Sequence, residues 1–353
     1  GGFNVAIGET ALKTNTSGAA NVAVGRDSLE LNTTGCRNTA LGQNSMYTNT
    51  TGDFNTAVGR EALYSNETAD NNTAVGCGAL HCNTTGCENT TVGTNSLDAN
   101  TTGDNNSAVG MHALGANTTA DNNTAVGHSA LKANTTGPDN IAVGFESLLT
   151  NTTGCRNVAV GKRSLKLNTE GCDNVGIGLN ALGVNTTGDF NTGVGFASLS
   201  ANTTANSNTA LGYCSLAVNT TAASNTAVGF ESLKTNITGS QNTAVGSCAL
   251  ATNTAGGQTA VGHNALKAAT SGYSNTAVGA FSSDATTTGN SNVSMGYDSF
   301  TDNTEGDLNV ALGRGSLANN TTADDNTAVG ACSLLTNTTG HSNTAVGFCA
   351  LVG

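Results

Sequence analysis

Asn123-Thr-Ala-Val-Gly127-His-Ser-Ala-Leu131-Lys-Ala-Asn134-Thr-Thr-Gly137-Pro-Asp139, followed at once by Asn140-Ile-Ala-Val-Gly144, is one whole period of the chain and the start of the next. The opening phrase, Asn (once Gln) before a small apolar strand and a Gly, occurs 21 times from Asn4-Val-Ala-Ile-Gly8 to Asn343-Thr-Ala-Val-Gly347, at a spacing of 17 residues. The consensus is N-T-A-V-G-x-x-A-L-x-x-N-T-T-G-x-x, numbered here as coil positions 1 to 17. The frame slips once: the unit beginning at Asn242 lacks its last residue, and the next begins with Gln258.

Self-similarity at a short fixed period means that each unit is one supersecondary element that buries its apolar face only by stacking on its neighbours. Residues 1–353 therefore read as a single continuous repeat domain, or as a segment of a longer array. Gly1 falls at coil position 15 and Gly353 at position 11, so a second copy would nearly continue the register, which hints at head-to-tail growth.

A helical reading fails, because Gly at position 5 of every copy costs a helix roughly 1 kcal/mol each and Thr and Asn add to that. Short strands with Gly and Asn corners fit, since Gly supplies positive φ or close backbone approach and Asn bonds locally at bends. The fold class is all-β: a parallel β-solenoid (β-roll) of about 21 coils. Parallel coils at about 4.8 Å would make a rod of about 95 Å. Position 4 is aliphatic throughout (Ile7, Val24, Leu41 through Val346) and position 9 is nearly always Leu, with Met46, Ser283 and Phe300 the departures. These two rows are expected to form the buried spine. Position 3, on the opposite strand face, stays small, which predicts that another surface approaches there. The Asn rows at positions 1 and 12 are expected to form amide ladders.

Net charge is −12 with only 12 Lys plus Arg, so no basic stripe exists to neutralise phosphate, and nucleic acid is excluded as a partner. No run approaches 18 apolar residues, so no membrane insertion is expected.

The N-T-A-V-G phrase with its following A-L and polar turn resembles the S-V-A-I-G type repeats of trimeric autotransporter adhesin heads, and similar arrays in viral and phage tail fibres. The resemblance covers the whole chain. It implies a left-handed parallel β-roll assembled as a homotrimer for surface display and adhesion, outside the cell or on a cell or virion surface. The 17-residue unit, longer than in those heads, and the ten Cys depart from the pattern.

The cysteines show no C-x-x-C and no repeated Cys/His spacing, which argues against a zinc site. Cys155 and Cys172 share position 16 of adjacent coils, and Cys332 and Cys349 share position 7, so stacking brings both pairs within disulfide reach. Cys77, Cys82 and Cys87 flank His81 in one coil; this admits a metal reading, but a local Cys82–Cys87 bridge is preferred. Cys36, Cys214 and Cys248 lack such partners and are expected to be free or to join chains. Disulfides would place the protein outside the cytosol.

Position 12 begins an N-x-S/T sequon in 15 coils: Asn15, Asn32, Asn49, Asn66, Asn83, Asn100, Asn117, Asn134, Asn151, Asn185, Asn202, Asn219, Asn236, Asn320 and Asn337. These are glycosylation candidates, with plain turn chemistry the competing explanation. Phe196, Tyr213 and Phe230 share position 6 of successive coils, with Phe145, Tyr297 and Phe348 in the same row, as a surface aromatic stripe suited to stacking, a chain partner or glycans. Asp53, Asp104, Asp189 and Asp307 follow the turn Gly, but the G-G-x-G-x-D spacing of calcium-binding rolls is absent. No metal or other cofactor is expected. The five His are scattered and no catalytic motif appears, so no enzyme is expected.

The expected function is that of a structural extracellular fibre, filament or adhesin-like rod whose partner is itself, as a homo-oligomer or head-to-tail filament. The alternatives are a viral or phage tail-fibre module and a ligand-binding rod. Host or cell-surface glycans would then meet the aromatic row, or ice the Thr rows at positions 13 and 14. Those rows are broken by Glu67, Glu170, Ile237, Ala255 and Glu305.

Overall fold

A computed structural model describes residues 1–352; the register expectation at Gly353 lies outside the described residues. The chain is a parallel β-solenoid of three-residue strands, one per coil, and no helix occurs among the described residues. It forms two compact units of the same construction, Gly1–Gly176 and Ile177–Gly353. In the first, strands β1 (Val5–Ile7) to β10 (Val158–Val160) pair in sequence order, each residue opposite its equivalent 17 positions on, as Val5 is opposite Val22. β11 (Val175–Ile177) spans the junction. In the second, β12 (Thr192–Val194) to β21 (Thr344–Val346) pair in the same way, except that Thr243 is opposite Thr259, 16 positions on.

The strand turns over relative to the expected spine. Position 3 points inward: Ala23, Ala40, Ala57 and their equivalents are fully buried, while the residues at positions 2 and 4 that flank them face out. The position 4 aliphatic row is therefore an outer row, and only position 9 belongs to the core as expected, with Leu29, Met46 and Leu63 buried completely. The reason is width. A three-residue strand sends one side chain inward, and a Cβ added at Gly193 in that row would meet Ser198 Oγ at 3.1 Å and the Leu182 side chain at 3.3 Å. Only small residues fit opposite Leu. Where position 9 shrinks to Ser283, Phe300 in the next coil is fully buried, and the Ser283 hydroxyl bonds Ser294 Oγ at 2.7 Å.

The corners also differ from expectation. Gly at position 5 does take positive φ, and it allows close approach as well: a Cβ on Gly127 (φ 133°) would lie 2.6 Å from Gly144 O. Position 15 has no such φ and accepts Ala, as at Ala69 and Ala120. The left-handed residues are instead at positions 7, 9 and 17 and include large side chains, as in Asn44 (φ 56°), Met46 (φ 47°) and Phe54 (φ 58°). Each costs roughly 1–2 kcal/mol in isolation.

Inter-coil hydrogen bonds offset that cost. In this coil the amides of Gly42, Asn44 and Phe54 donate to Val24, Arg26 and Cys36 carbonyls in the coil behind, at 2.8, 2.9 and 3.1 Å. Those of Thr39, Met46, Thr48 and Thr50 donate to Asn55, Ala62, Tyr64 and Glu67 carbonyls in the coil ahead, at 2.8–3.1 Å. Seven bonds at about 0.5–1.5 kcal/mol each outweigh the strain, but only when both neighbours are present.

The amide rows close the coil from inside. At position 12, Asn134 Nδ2 donates to Asn117 Oδ1 at 3.0 Å and to Gly137 O at 2.9 Å, and Asn134 Oδ1 accepts from Asn151 Nδ2 at 2.8 Å. This is the expected ladder. At position 1 the ladder runs through backbone: Asn38 N donates to Asn21 Oδ1 at 2.9 Å, while Asn38 Nδ2 reaches across the coil to Gly52 O at 2.7 Å.

The frame slip also falls elsewhere than expected. Asn242 Nδ2 and Asn253 Nδ2 both donate to Ala255 O, at 2.9 and 2.7 Å, so Ala255 fills position 15. Gly257 (φ 72°) then takes the left-handed position 17, and its amide donates to Ser240 O at 3.0 Å. The missing residue belongs to the Thr-Thr corner, not to the end of the unit. Gln258 replaces Asn at position 1, accepting Asn275 N on Oε1 at 3.2 Å.

Candidate functional site

The outward strand face is the most extended chemical surface of each unit. Position 4 lays an unbroken aliphatic row along it, with members such as Leu41, Val92, Val109 and Val126 in the first unit and Leu211 and Val245 in the second markedly exposed. Position 2, mostly Thr with Val or Ile in places, lies beside it on the same face. Burying any of these side chains against a partner is worth roughly 25 cal/mol per Å².

Next to this face, the Phe196, Tyr213 and Phe230 rings stack at 5.1 and 5.3 Å with interplanar angles of 11° and 10°. Their faces are turned to one another and their edges outward, so the stripe is a ring ladder. A second ladder, unmarked by the sequence pattern, joins Tyr47, Tyr64 and His81 at position 10, with centroids 5.2 and 5.0 Å apart. Three of the five histidines belong to such contacts: His81, His128 on Phe145 at 5.5 Å, and His263 edge-on to Phe281 at 5.2 Å.

Thirteen of the fifteen sequon asparagines, all except Asn15 and Asn337 in the first and last such coils, are completely buried. The Nδ2 that a glycan would occupy is spent on the ladder, as for Asn32 to Asn15 Oδ1 (2.9 Å) and Gly35 O (3.0 Å). Glycosylation at Asn32, Asn49, Asn66, Asn83, Asn100, Asn117, Asn134, Asn151, Asn185, Asn202, Asn219, Asn236 and Asn320 is incompatible with this fold. The position 13 hydroxyls also turn into the stack, as Thr33 Oγ1 donates to Thr50 O at 3.0 Å, which removes half of the Thr surface proposed to meet ice.

Position 16 has a role that sequence reading missed. Its side chain accepts a hydrogen bond from the amide of its equivalent one coil earlier: Cys36 N to Asp53 Oδ1 (2.6 Å), Cys87 N to Asp104 Oδ1 (2.7 Å), Asp189 N to Asn206 Oδ1 (2.7 Å), Asn290 N to Asp307 Oδ1 (2.7 Å) and Ala223 N to Ser240 Oγ (3.2 Å). Asp, Asn, Ser and Cys each bring an acceptor on a short stem to this row, which Ala19, Pro138, Ala223, Tyr273 and His341 interrupt. Their alternation was the available signal. Among the described residues, no group of three or more His, Cys, Asp or Glu side chains is placed to hold a metal ion.

No two of the ten cysteine sulfurs are bonded to one another in the structure. Cys155 Sγ lies 2.6 Å from Cys172 Sγ, and Cys155 N donates to Cys172 Sγ at 3.0 Å, the row's usual bond. Burial, and next the neighbouring Cys332, raises the Cys349 thiol above its ordinary value. Cys82 and Cys87 turn to different partners, His81 Nδ1 at 3.5 Å and Thr85 O at 3.4 Å. Burial, and next the contact with Cys172, pushes the Cys155 thiol up to about 11.

No protein-family model matches the chain, and no curated protein matches it. No described helix is long and apolar enough to cross a membrane.

Proposed function

We propose that the protein is a structural, self-associating repeat protein: the building block of an extracellular fibre, filament or adhesin-like array whose partner is another copy of itself. One observation carries this reading, the unbroken aliphatic row of position 4 on the outward strand face, which uses in every coil a residue that the narrow interior does not need. Contiguous exposed apolar surface of this kind marks an interaction site. Identical coils present that surface at one regular spacing, so copies of the chain are self-complementary along it. The aromatic ladder beside it extends the same contact.

A tail-fibre role uses the same association and differs in what the array is attached to. Glycan and ice recognition draw less support, because ring faces are stacked and the position 13 hydroxyls are engaged.

Sedimentation of the purified chain tests the proposal. Wild type should form oligomers, and replacing Val75, Val92 and Val109 together by Lys should give a monomer with an unchanged β circular-dichroism signal. A wild-type chain that stays monomeric at high concentration would sink it.

A further inference from the structure

We infer that Cys155 and Cys172 are a thiol–disulfide site that covalently ties one coil to the next. The two sulfurs already lie 2.6 Å apart, and an S–S bond of about 2.05 Å requires only a small closing movement. The surroundings hold the pair in place. Cys172 occupies the acceptor position that binds Cys155 N, and one residue on Arg156 clamps Asp173 with Nε to Oδ1 at 2.7 Å and Nη2 to Oδ2 at 2.9 Å. The same two coils are therefore held in register at the sulfurs and one residue beyond them. Both thiols are partly exposed, so a small reagent can reach them.

The oxidant is a low-molecular-weight disulfide. One cysteine thiolate attacks it, its S–S bond breaks, and one equivalent of small thiol leaves with the proton. The second cysteine then attacks the protein-bound sulfur, the Cys155–Cys172 bond forms and a second small thiol leaves. The protein loses two protons and two electrons, and one small disulfide takes them up to become two small thiols. Thiol in excess reverses both steps.

The test exposes the folded, reduced full chain to oxidised glutathione, blocks remaining thiols with N-ethylmaleimide, and maps the digest by mass spectrometry without reduction. A cross-linked peptide containing Cys155 and Cys172 is expected, formed at an oxidised-to-reduced glutathione ratio at least about tenfold below any that links Cys82 to Cys87. Cys155→Ser and Cys172→Ser should each leave a stable glutathione adduct on the remaining cysteine; Ser fits the row, as Ser240 shows. Stable adducts on both cysteines of the wild type, or maleimide on both after oxidation, would overturn the inference.

Discussion

Replacing Asn134 by Ala removes three buried hydrogen bonds at once: to Asn117 Oδ1, to Gly137 O, and from Asn151 Nδ2. Two of the partners are rescued in part. Gly137 O still accepts Asn140 Nδ2 at 3.1 Å, and Asn151 Nδ2 still donates to Gly154 O at 2.8 Å. What is stranded is the Asn117 oxygen and one hydrogen of Asn151, both in fully buried side chains. At about 1–3 kcal/mol for each buried polar group left unpaired, the loss comes to about 2–6 kcal/mol. The companion variant Thr136→Ala destroys the same sequon but alters an exposed side chain outside the ladder, so it should change stability by less than about 0.5 kcal/mol. Urea unfolding followed by circular dichroism measures both. If Asn134→Ala unfolds within that same small margin of wild type, the ladder is not what holds the coils together.

Four further outcomes follow from the geometry. Leu233→Ala should cost about 2–5 kcal/mol, whereas Val228→Thr, on the outward face, should cost under about 1 kcal/mol in the unassociated chain; equal losses in urea would restore the discarded spine. Gly127→Ala combines positive φ with a 2.6 Å approach to Gly144 O, and loss of the β signal or a greatly lowered thermal midpoint is expected. Thr91→Val should stabilise by about 1–2 kcal/mol in the same denaturation, because Thr91 Oγ1 is buried with no hydrogen-bond partner. Burial raises the Asp98 carboxyl above its ordinary range, so its ionised form is penalised in the folded state. That penalty is complete above the raised value and vanishes as pH falls below the unfolded value. Asp98→Asn should therefore be more stable than wild type at neutral pH, with the gap closing on acidification; a gap independent of pH would contradict this.

The period alone made the architecture legible, because a 17-residue repeat with Gly at position 5 leaves a stacked coil as the one arrangement that satisfies its backbone. Leu at position 9 and the Asn ladder at position 12 could also be read directly. The facing of the strand could not. Thr-Ala-Val alternates in the same way whichever side points inward, and the usual rule that larger apolar residues are buried fails where the interior is too narrow for them. The left-handed positions were hidden for a related reason, since Met46 and Phe54 have no intrinsic preference for that conformation and are held there by bonds to the coils on either side. Position 12 misled in a further way. A sequon marks a chemical acceptor but does not specify burial, and the amide that defines it is the same amide that holds the core.

The shortened unit shows how such a chain can change length. Because every coil offers the same pattern of backbone donors and acceptors to its neighbour ahead and its neighbour behind, adding or deleting 17 residues leaves each backbone contact with an equivalent partner. Any other change must be absorbed locally, and the Thr254–Ala255 corner shows where: one residue is lost, Gly257 restores the left-handed position 17, and Thr243 still faces Thr259 in the next strand. The fold thus counts residues in whole coils and corrects miscounts at one corner, so genetic duplication or loss of units can adjust the number of coils without inventing a new contact.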